Sequence, residues 1–91
     1  MKTLKLFVSG IVQGVFFRKS IEDKAKGLEL KGFVRNLDDG RVEIVVEGKD
    51  ENVNEMVKIC KQGPSHSEVK NVDTEEIRNQ GFKEFKVLKG F

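Results

Sequence analysis

An apolar strand runs through two glycines into a helix in the stretch Val8-Ser9-Gly10-Ile11-Val12-Gln13-Gly14-Val15-Phe16-Phe17-Arg18. The first N–H groups of a helix have no intrahelical partner and carry the positive end of the helix dipole, so they attract anions. Gly10 and Gly14 let the backbone curl, so that its amides form a concave nest. Arg18 adds a planar guanidinium suited to phosphate or carboxylate. The stretch predicts an anion site, and a plain strand-to-helix turn with a surface arginine is the alternative.

This loop differs from the two common nucleotide-binding loops. A Walker loop needs a lysine after its second glycine, and here Val15 follows Gly14. A dinucleotide-binding loop needs a third glycine, which the stretch lacks. A phosphate bound here would therefore be held by backbone amides and by Arg18.

Composition excludes several classes of protein. The 91 residues carry 35% charged side chains and a formal net charge of +2, without a basic block, so no nucleic-acid partner is expected. Cys60 is the only cysteine and His66 the only histidine, which leaves no intrachain disulfide and too few soft ligands for a metal site. No segment is long and apolar enough to span a bilayer, so we expect a cytoplasmic protein without a membrane partner.

The first half of the chain contains a strand, a helix and a hairpin. Leu4, Leu6 and Val8 alternate with other residues, which indicates a strand with one face on the core. Apolar residues then recur at helical spacing over 17–28, and Gly27 predicts the end of that helix. Two apolar runs, 30–36 and 41–47, are joined by the turn sequence Leu37-Asp38-Asp39-Gly40.

The second half predicts another helix and two weaker strands. Asp50 is expected to cap the helix, and Gly63-Pro64 is expected to end it. Its apolar residues recur at helical spacing and are Val53, Met56, Val57 and Cys60. The weaker strands are expected within 69–77 and 82–88.

This order predicts an α+β fold, a ferredoxin-like βαββαβ sandwich in one domain spanning residues 1–91. Two helices cover one face of a mostly antiparallel sheet of four to five strands. The other face is expected to carry Phe7 and further partly exposed groups. The fold itself does not decide the function, because enzymes, metal carriers and RNA-binding modules share it.

Asn36 ends the second predicted strand, in the block Gly32-Phe33-Val34-Arg35-Asn36. An asparagine before a hairpin either bonds its own backbone in the turn or offers its carboxamide to position a water molecule. Asn36 and Arg18 can face one pocket only if the topology brings the ends of the first two strands together.

The two blocks together resemble the acylphosphatase family. The first agrees with the family pattern at Gly10, Val12, Gln13, Gly14, Val15, Phe17 and Arg18. The second agrees at Gly32, Phe33, Val34, Arg35, Asn36, Gly40, Val42 and Gly48. The resemblance covers nearly the whole chain. At the C-terminus, Lys89-Gly90-Phe91 extends past Val87, so a contact of the Phe91 carboxylate with Arg18, found in some relatives, is left open.

The resemblance implies metal-independent hydrolysis of acyl phosphates to carboxylate and inorganic phosphate, without a cofactor, by a monomer. It implies that Arg18 and the loop amides of Gly14, Val15, Phe16 and Phe17 bind the substrate, with inorganic phosphate as product or inhibitor. It also implies that Arg18 and Asn36 are catalytic, Asn36 by orienting the attacking water.

Three other functions are weighed against this one. Lys31-Gly32-Phe33 begins like the central strand of an RNA-recognition motif, but Arg35 and Leu37 stand where further aromatic residues are needed. A ferredoxin-like metal carrier would need two cysteines in the first loop, which has none. A domain that keeps the anion site for binding or regulation alone stays open.

The remaining conspicuous residues have structural explanations. We expect a solvent-exposed His66, a Cys60 packed as a small apolar group, and a Lys19 on the helix surface. Phe17 is expected on the core and Phe16 at the rim of the pocket. Asp38 and Asp39 are expected to be turn residues, and a metal site is the less favoured alternative.

Overall fold

The computed structural model describes residues 1–64 and 67–89, which form two helices and a five-stranded sheet. The elements in chain order are β1 (Lys2–Ile11), α1 (Val15–Gly27), β2 (Lys31–Asn36), β3 (Val42–Gly48), α2 (Asp50–Gln62), β4 (Glu68–Ile77) and β5 (Phe85–Val87). The strand order across the sheet is β4-β1-β3-β2-β5. All neighbouring strands are antiparallel except β2 and β5, which are parallel. The predicted ferredoxin-like α+β fold is therefore confirmed, with β5 as the short last strand.

The core lies between the sheet and the two helices. Alternate residues of β1 and β3 point toward the helices, and each helix contributes its apolar stripe. The buried residues of this layer include Leu4, Leu6, Val8, Phe17, Ile21, Ala25, Val42, Ile44, Val46, Val53, Met56 and Cys60. The alternation of strand residues and the helical spacing in the sequence both predicted this layer. Among the described residues, no helix is long and apolar enough to cross a membrane.

The start of α2 differs from the prediction. Asp50 is the first residue of the helix and not its cap, because the N–H of Val53 bonds to the carbonyl of Lys49 at 2.9 Å and so places the cap at Lys49. No side chain caps this terminus. The carboxylate of Asp50 lies 3.7 Å from the amino group of Met1 instead. The predicted end of α2 is confirmed, since Gly63 has a left-handed backbone and its N–H bonds to the carbonyls of Ile59 and Cys60.

The sheet face that carries no helix is more closed than expected. Phe7 is half-buried there, as predicted. In β3, however, Glu43, Val45 and Glu47 are all buried on this face. The expected partly exposed groups, such as Phe7, are on this face, but the residues of β3 are buried because β3 is the middle strand and is flanked by side chains from β1 and β2.

Glu43 and Glu47 are compensated by specific partners. Glu43 bonds to Nε of Arg35 at 2.6 Å, and Lys5 lies 4.0 Å away. Glu47 accepts hydrogen bonds from the Thr3 hydroxyl and from backbone N–H groups of the segment between β4 and β5. Buried carboxylates are tolerated only with such partners.

Candidate active site

β1 and β2 run in the same direction and finish at the same end of the sheet. Val8 of β1 and Asn36 of β2 are both paired with Val42 of β3. Both strands are antiparallel to β3, so they run in the same direction and end on the same side. With one strand spacing of about 4.8 Å on each side of β3, the Asn36 and Val8 backbones are about 10 Å apart. β1 continues to Ile11, so the loop that follows it begins a short distance beyond the end of β2 and on the same side of the sheet, which satisfies the condition set by the sequence.

The two glycines of the loop have different roles. Gly10 lies at a β-bulge where β1 meets β4, and a Cβ there would come 2.1 Å from the carbonyl oxygen of Glu68. Gly10 thus permits close packing of two strands. Gly14 has a φ of 138°, and nothing lies within 4 Å of the place that a Cβ would occupy. Gly14 therefore provides the backbone turn at an open position, as the nest requires.

The amino end of α1 is free of competing groups. Gly14 is its cap residue, no side chain caps it, and the first turn holds no acidic residue. The first helical bond joins the N–H of Arg18 to the carbonyl of Gly14 at 3.3 Å. The preceding N–H groups of the first turn have no intrahelical acceptor and point out of the helix end. This terminus favours an anion electrostatically.

Arg18 and Asn36 share an unusual property. Within residues 1–64 and 67–89, two buried side-chain nitrogen or oxygen atoms lack a hydrogen-bond partner, and they are Nε of Arg18 and Oδ1 of Asn36. Buried polar atoms are nearly always paired, so each such exception requires an explanation. A donor and an acceptor are thus buried without a partner at the two residues that the sequence analysis predicts to be catalytic.

Two clefts border the loop. The first has a volume of about 170 Å³ and is lined by Ile11, Val12, Gln13, Gly14, Phe16, Phe17 and Ser67. The second, of about 240 Å³, is lined by Arg18, Lys19, Glu22 and Val87. Phe16 is 77% exposed and Phe17 is 4% exposed, so the predicted division between rim and core is confirmed. The loop residues and the Arg18 side chain therefore border different clefts.

Gln13 has a role that sequence reasoning missed. Its side-chain Nε2 donates to the carbonyls of Leu37 and Arg41, at 2.7 and 3.1 Å. These two residues flank the turn between β2 and β3. The sequence marked Gln13 only as part of the family pattern, because a bond across 24 residues leaves no trace in local spacing.

The amino-acid sequence matches the model of the acylphosphatase family over residues 4–87. The chain belongs to the acylphosphatase family. It is 51% identical over 75 residues to an acylphosphatase of Rubrobacter xylanophilus, with 82% of this chain and 68% of that protein covered. It is 46% identical over 90 residues to an acylphosphatase of Methylococcus capsulatus, with 98% of each covered.

A solved structure agrees with these relatives. The crystal structure of acylphosphatase from Bacillus subtilis has a TM-score of 0.91 and 36% identity, covering 97% of this chain and 99% of that chain. The family predicted from the two sequence blocks is confirmed. So is the predicted enzyme class, a hydrolase acting on acyl phosphates. The roles of individual site residues stay predictions.

The other conspicuous residues of the acylphosphatase chain are structural. Lys19 lies on the surface of α1, 3.2 Å from Asp23 and 3.5 Å from Glu22. Asp39 bonds to the N–H and Nε of Arg41 within the turn, and these hydrogen bonds, the backbone one first, lower the pKa of its carboxyl. Cys60 is fully buried, and burial raises the pKa of its thiol to about 12.

Two predictions concern residues outside the described part of the chain, and another concerns a metal site. His66 and the Phe91 carboxylate lie outside the described residues, so their predicted environments are untested. In the described part of the chain, no group of three or more histidine, cysteine, aspartate or glutamate residues could hold a metal ion. Asp38 and Asp39 lie in the turn between β2 and β3, as the sequence favoured.

The open sheet face is poorly suited to RNA. Two of its cations, Arg35 and Lys5, are already paired with the buried carboxylate of Glu43, so they are not free to bind phosphates of a polyanion. Phe33 packs edge-to-face against Phe82, with ring centroids 6.0 Å apart, so its ring is already in contact with another aromatic group. Base stacking needs a free aromatic face. These features argue against the RNA-binding alternative.

Proposed function

We propose that the Arg18 guanidinium and the backbone N–H groups of Gly14, Val15, Phe16 and Phe17 bind the phosphoryl group of an acyl phosphate, and that Asn36 orients the attacking water. The observation that carries this proposal is the pair of buried, unpartnered atoms at Arg18 and Asn36. Nε of Arg18 can donate a hydrogen bond to a phosphoryl oxygen, and Oδ1 of Asn36 can accept a hydrogen bond from water. Each atom gains in the complex the partner that it lacks in the free protein.

The chemistry fits a site that binds and orients without a strong base. An acyl phosphate is a mixed anhydride whose carboxylate leaves readily, so positioning and charge stabilisation supply the catalysis. Water attacks phosphorus, the bond from phosphorus to the acyl oxygen breaks, and carboxylate and inorganic phosphate are the products. The proton of the attacking water passes to a phosphoryl oxygen of the substrate. No step requires a metal, a cofactor or a covalent nucleophile.

We also propose the domain organisation, oligomeric state, location and partners of the enzyme. Residues 1–91 act as one domain and as a monomer in the cytoplasm, with a small acyl phosphate as substrate and inorganic phosphate as product and inhibitor. No nucleic acid or membrane takes part. The family match over 4–87 and the paired cations of the open sheet face support this proposal.

Phosphate-release kinetics with benzoyl phosphate, in the presence of EDTA, test the proposal. We expect wild-type hydrolysis, a loss of about 100-fold or more in kcat/KM for Arg18→Gln, and loss of inhibition by inorganic phosphate. For Asn36→Ala we expect kcat to fall by about 100-fold while phosphate still inhibits. The control is Arg78→Gln, since Arg78 follows Ile77, which pairs with Thr3 at the opposite end of the sheet.

Two results would refute the assignment. Arg18→Gln with unchanged turnover and phosphate inhibition would remove the arginine from the site. A folded wild-type protein that binds phosphate without hydrolysis would favour the binding or regulatory alternative. The proton step has its own test, the pH–rate profile, because a protein pKa that disappears in Asn36→Ala would contradict transfer to the substrate.

A further inference from the structure

Gln13 connects the two halves of the site. Its carboxamide uses both N–H donors of one nitrogen, one for the carbonyl of Leu37 and one for the carbonyl of Arg41. The N–H of Leu37 also bonds to the carbonyl of Arg41, at 2.8 Å, and closes the hairpin. Gln13 therefore binds both sides of the hairpin at its turn, and one of its partners, Leu37, directly follows Asn36.

The end of β2 has few other supports. Pairing between β2 and β5 extends only from Gly32 to Val34, and the last bond joins the N–H of Leu88 to the carbonyl of Val34. Beyond Val34, β2 is held on one side by β3 through Asn36 and Val42. Strand β3 links this end to β1, since Val42 pairs with both Asn36 and Val8. The bridge from Gln13 adds a direct side-chain contact between this end and the loop.

The loop itself has independent supports. On one side, β1 continues to Ile11, which pairs with Glu68 of β4. On the other side, α1 begins with the bond between Arg18 and Gly14. The anion cradle is thus held from both ends, whereas beyond the pairing of Val8 with Val42 the hairpin contacts the loop through the Gln13 carboxamide. Loss of that carboxamide should move Asn36 more than it moves the cradle.

We propose that Gln13 is a positioning residue, which sets Asn36 at the correct distance from the phosphate-binding loop through its bonds to Leu37 and Arg41. This proposal rests on the proposed function, because it requires that Asn36 acts on the attacking water. In this proposal Gln13, which lines the cleft beside the loop, acts through Asn36. A displacement of about 1 Å at a reacting group can cost about 100-fold in rate.

A double-mutant cycle between Gln13 and Asn36 tests this proposal. The variants are Gln13→Ala, Gln13→Glu, Asn36→Ala and the double variants, assayed with benzoyl phosphate. Gln13→Glu keeps the shape of the side chain but replaces both donors by a carboxylate that faces two carbonyl oxygens. Gln62→Ala is the control, since Gln62 is an exposed residue at the end of α2.

The expected result is a loss of about tenfold in kcat for Gln13→Ala, and more for Gln13→Glu, with an inhibition constant for phosphate within about twofold of wild type. In the Asn36→Ala background, Gln13→Ala should change kcat by less than about twofold, because it acts through the carboxamide already removed. Circular dichroism at the assay temperature confirms that each variant is folded, and Gln13→Glu replaces Gln13→Ala if the latter is not.

Three results would overturn the proposal. Equal losses of kcat in both backgrounds would show that Gln13 acts independently of Asn36. An unchanged kcat would show that the bridge has no effect on the reaction. A weaker inhibition by phosphate with kcat preserved would place Gln13 in the anion cradle. If instead Asn36→Ala alone is fully active, the assignment of Asn36 under the proposed function is what fails.

Discussion

Replacing Glu47 with glutamine should destabilise the protein strongly although it changes almost no volume. Oε1 of Glu47 accepts from the Thr3 hydroxyl at 2.7 Å and from the N–H of Gln80, and Oε2 accepts from Gly81 and Phe82 at 3.0 and 3.1 Å. In Glu47→Gln one oxygen becomes an NH₂ group. With NH₂ at the Oε1 position, the Thr3 hydroxyl can accept from it and donate to Oδ1 of Asn79, so the N–H of Gln80 alone loses its acceptor, while Gly81 and Phe82 keep a neutral acceptor in place of a charged one. At about 1.5 kcal/mol for the lost bond and about 0.8 kcal/mol for each bond that becomes neutral, the free energy of unfolding should fall by about 3 kcal/mol.

For a domain of this size that loss corresponds to a fall of about 15 °C in Tm. Burial raises the pKa of Glu47, but the hydrogen bonds from Gln80, Thr3, Phe82 and Gly81 together lower it below its usual value. A lowered folded pKa stabilises the protein at neutral pH, and this stabilisation disappears as pH falls through the folded pKa. The difference in stability between wild type and Glu47→Gln should therefore shrink below about pH 4.

Urea denaturation at pH 7 and at a series of acidic pH values measures this difference. The control is Glu55→Gln, an exposed position on α2. A loss for Glu47→Gln no larger than that of the control would refute the reasoning, as would a difference that stays constant at acidic pH. At 25 °C and pH 7 the folded variant should keep kcat within about twofold of wild type, because the four donors lie away from Arg18 and Asn36.

Gly32→Ala should prevent stable folding, because an added Cβ would lie 1.9 Å from the carbonyl oxygen of Val45. Gly27→Ala is the control, since its Cβ would meet nothing within 4 Å, and it should leave the Tm in a thermal melt unchanged or slightly higher. Glu29→Gly should raise the free energy of unfolding by about 0.5–1 kcal/mol, since Glu29 has a φ of 57° and a side chain is strained there; an unchanged urea midpoint would contradict this. Cys60 should resist alkylation by iodoacetamide at pH 8 in the folded protein and react after denaturation, because it is buried and the pKa of its thiol is raised to about 12.

Much of the fold was predictable from local sequence patterns. The alternation of Leu4, Leu6 and Val8 and the helical spacing from Phe17 onward identified the faces that meet in the core, because burial of one face imposes a period on the sequence. The turn before Arg41 identified the hairpin. The predicted cap of α2 was wrong, because the backbone places the cap at Lys49 and Asp50 is the first residue of the helix. Aspartate is common both at the cap and in the first turn of a helix, so its presence did not fix the starting residue.

The candidate site was predictable only as a set of residues. Two sequence blocks identified the family and pointed to Arg18 and Asn36, and composition left no alternative metal or cysteine chemistry. Local sequence could not show that Gly10 serves the packing of β4 against β1, because the Glu68 carbonyl that requires a glycine there lies far along the chain.

The sequence by itself determined the elements, the core faces, the family and the two residues selected for chemistry, because each of these depends on residues that are near neighbours or on a long pattern. Only the tertiary structure decided that Val8 of β1 and Asn36 of β2 lie on either side of Val42, that Glu47 is buried among donors from a distant segment, and that Gln13 joins the loop to the hairpin. The physical reason is that hydrogen bonds between distant segments depend on the strand order and register of the whole sheet, which no local periodicity encodes.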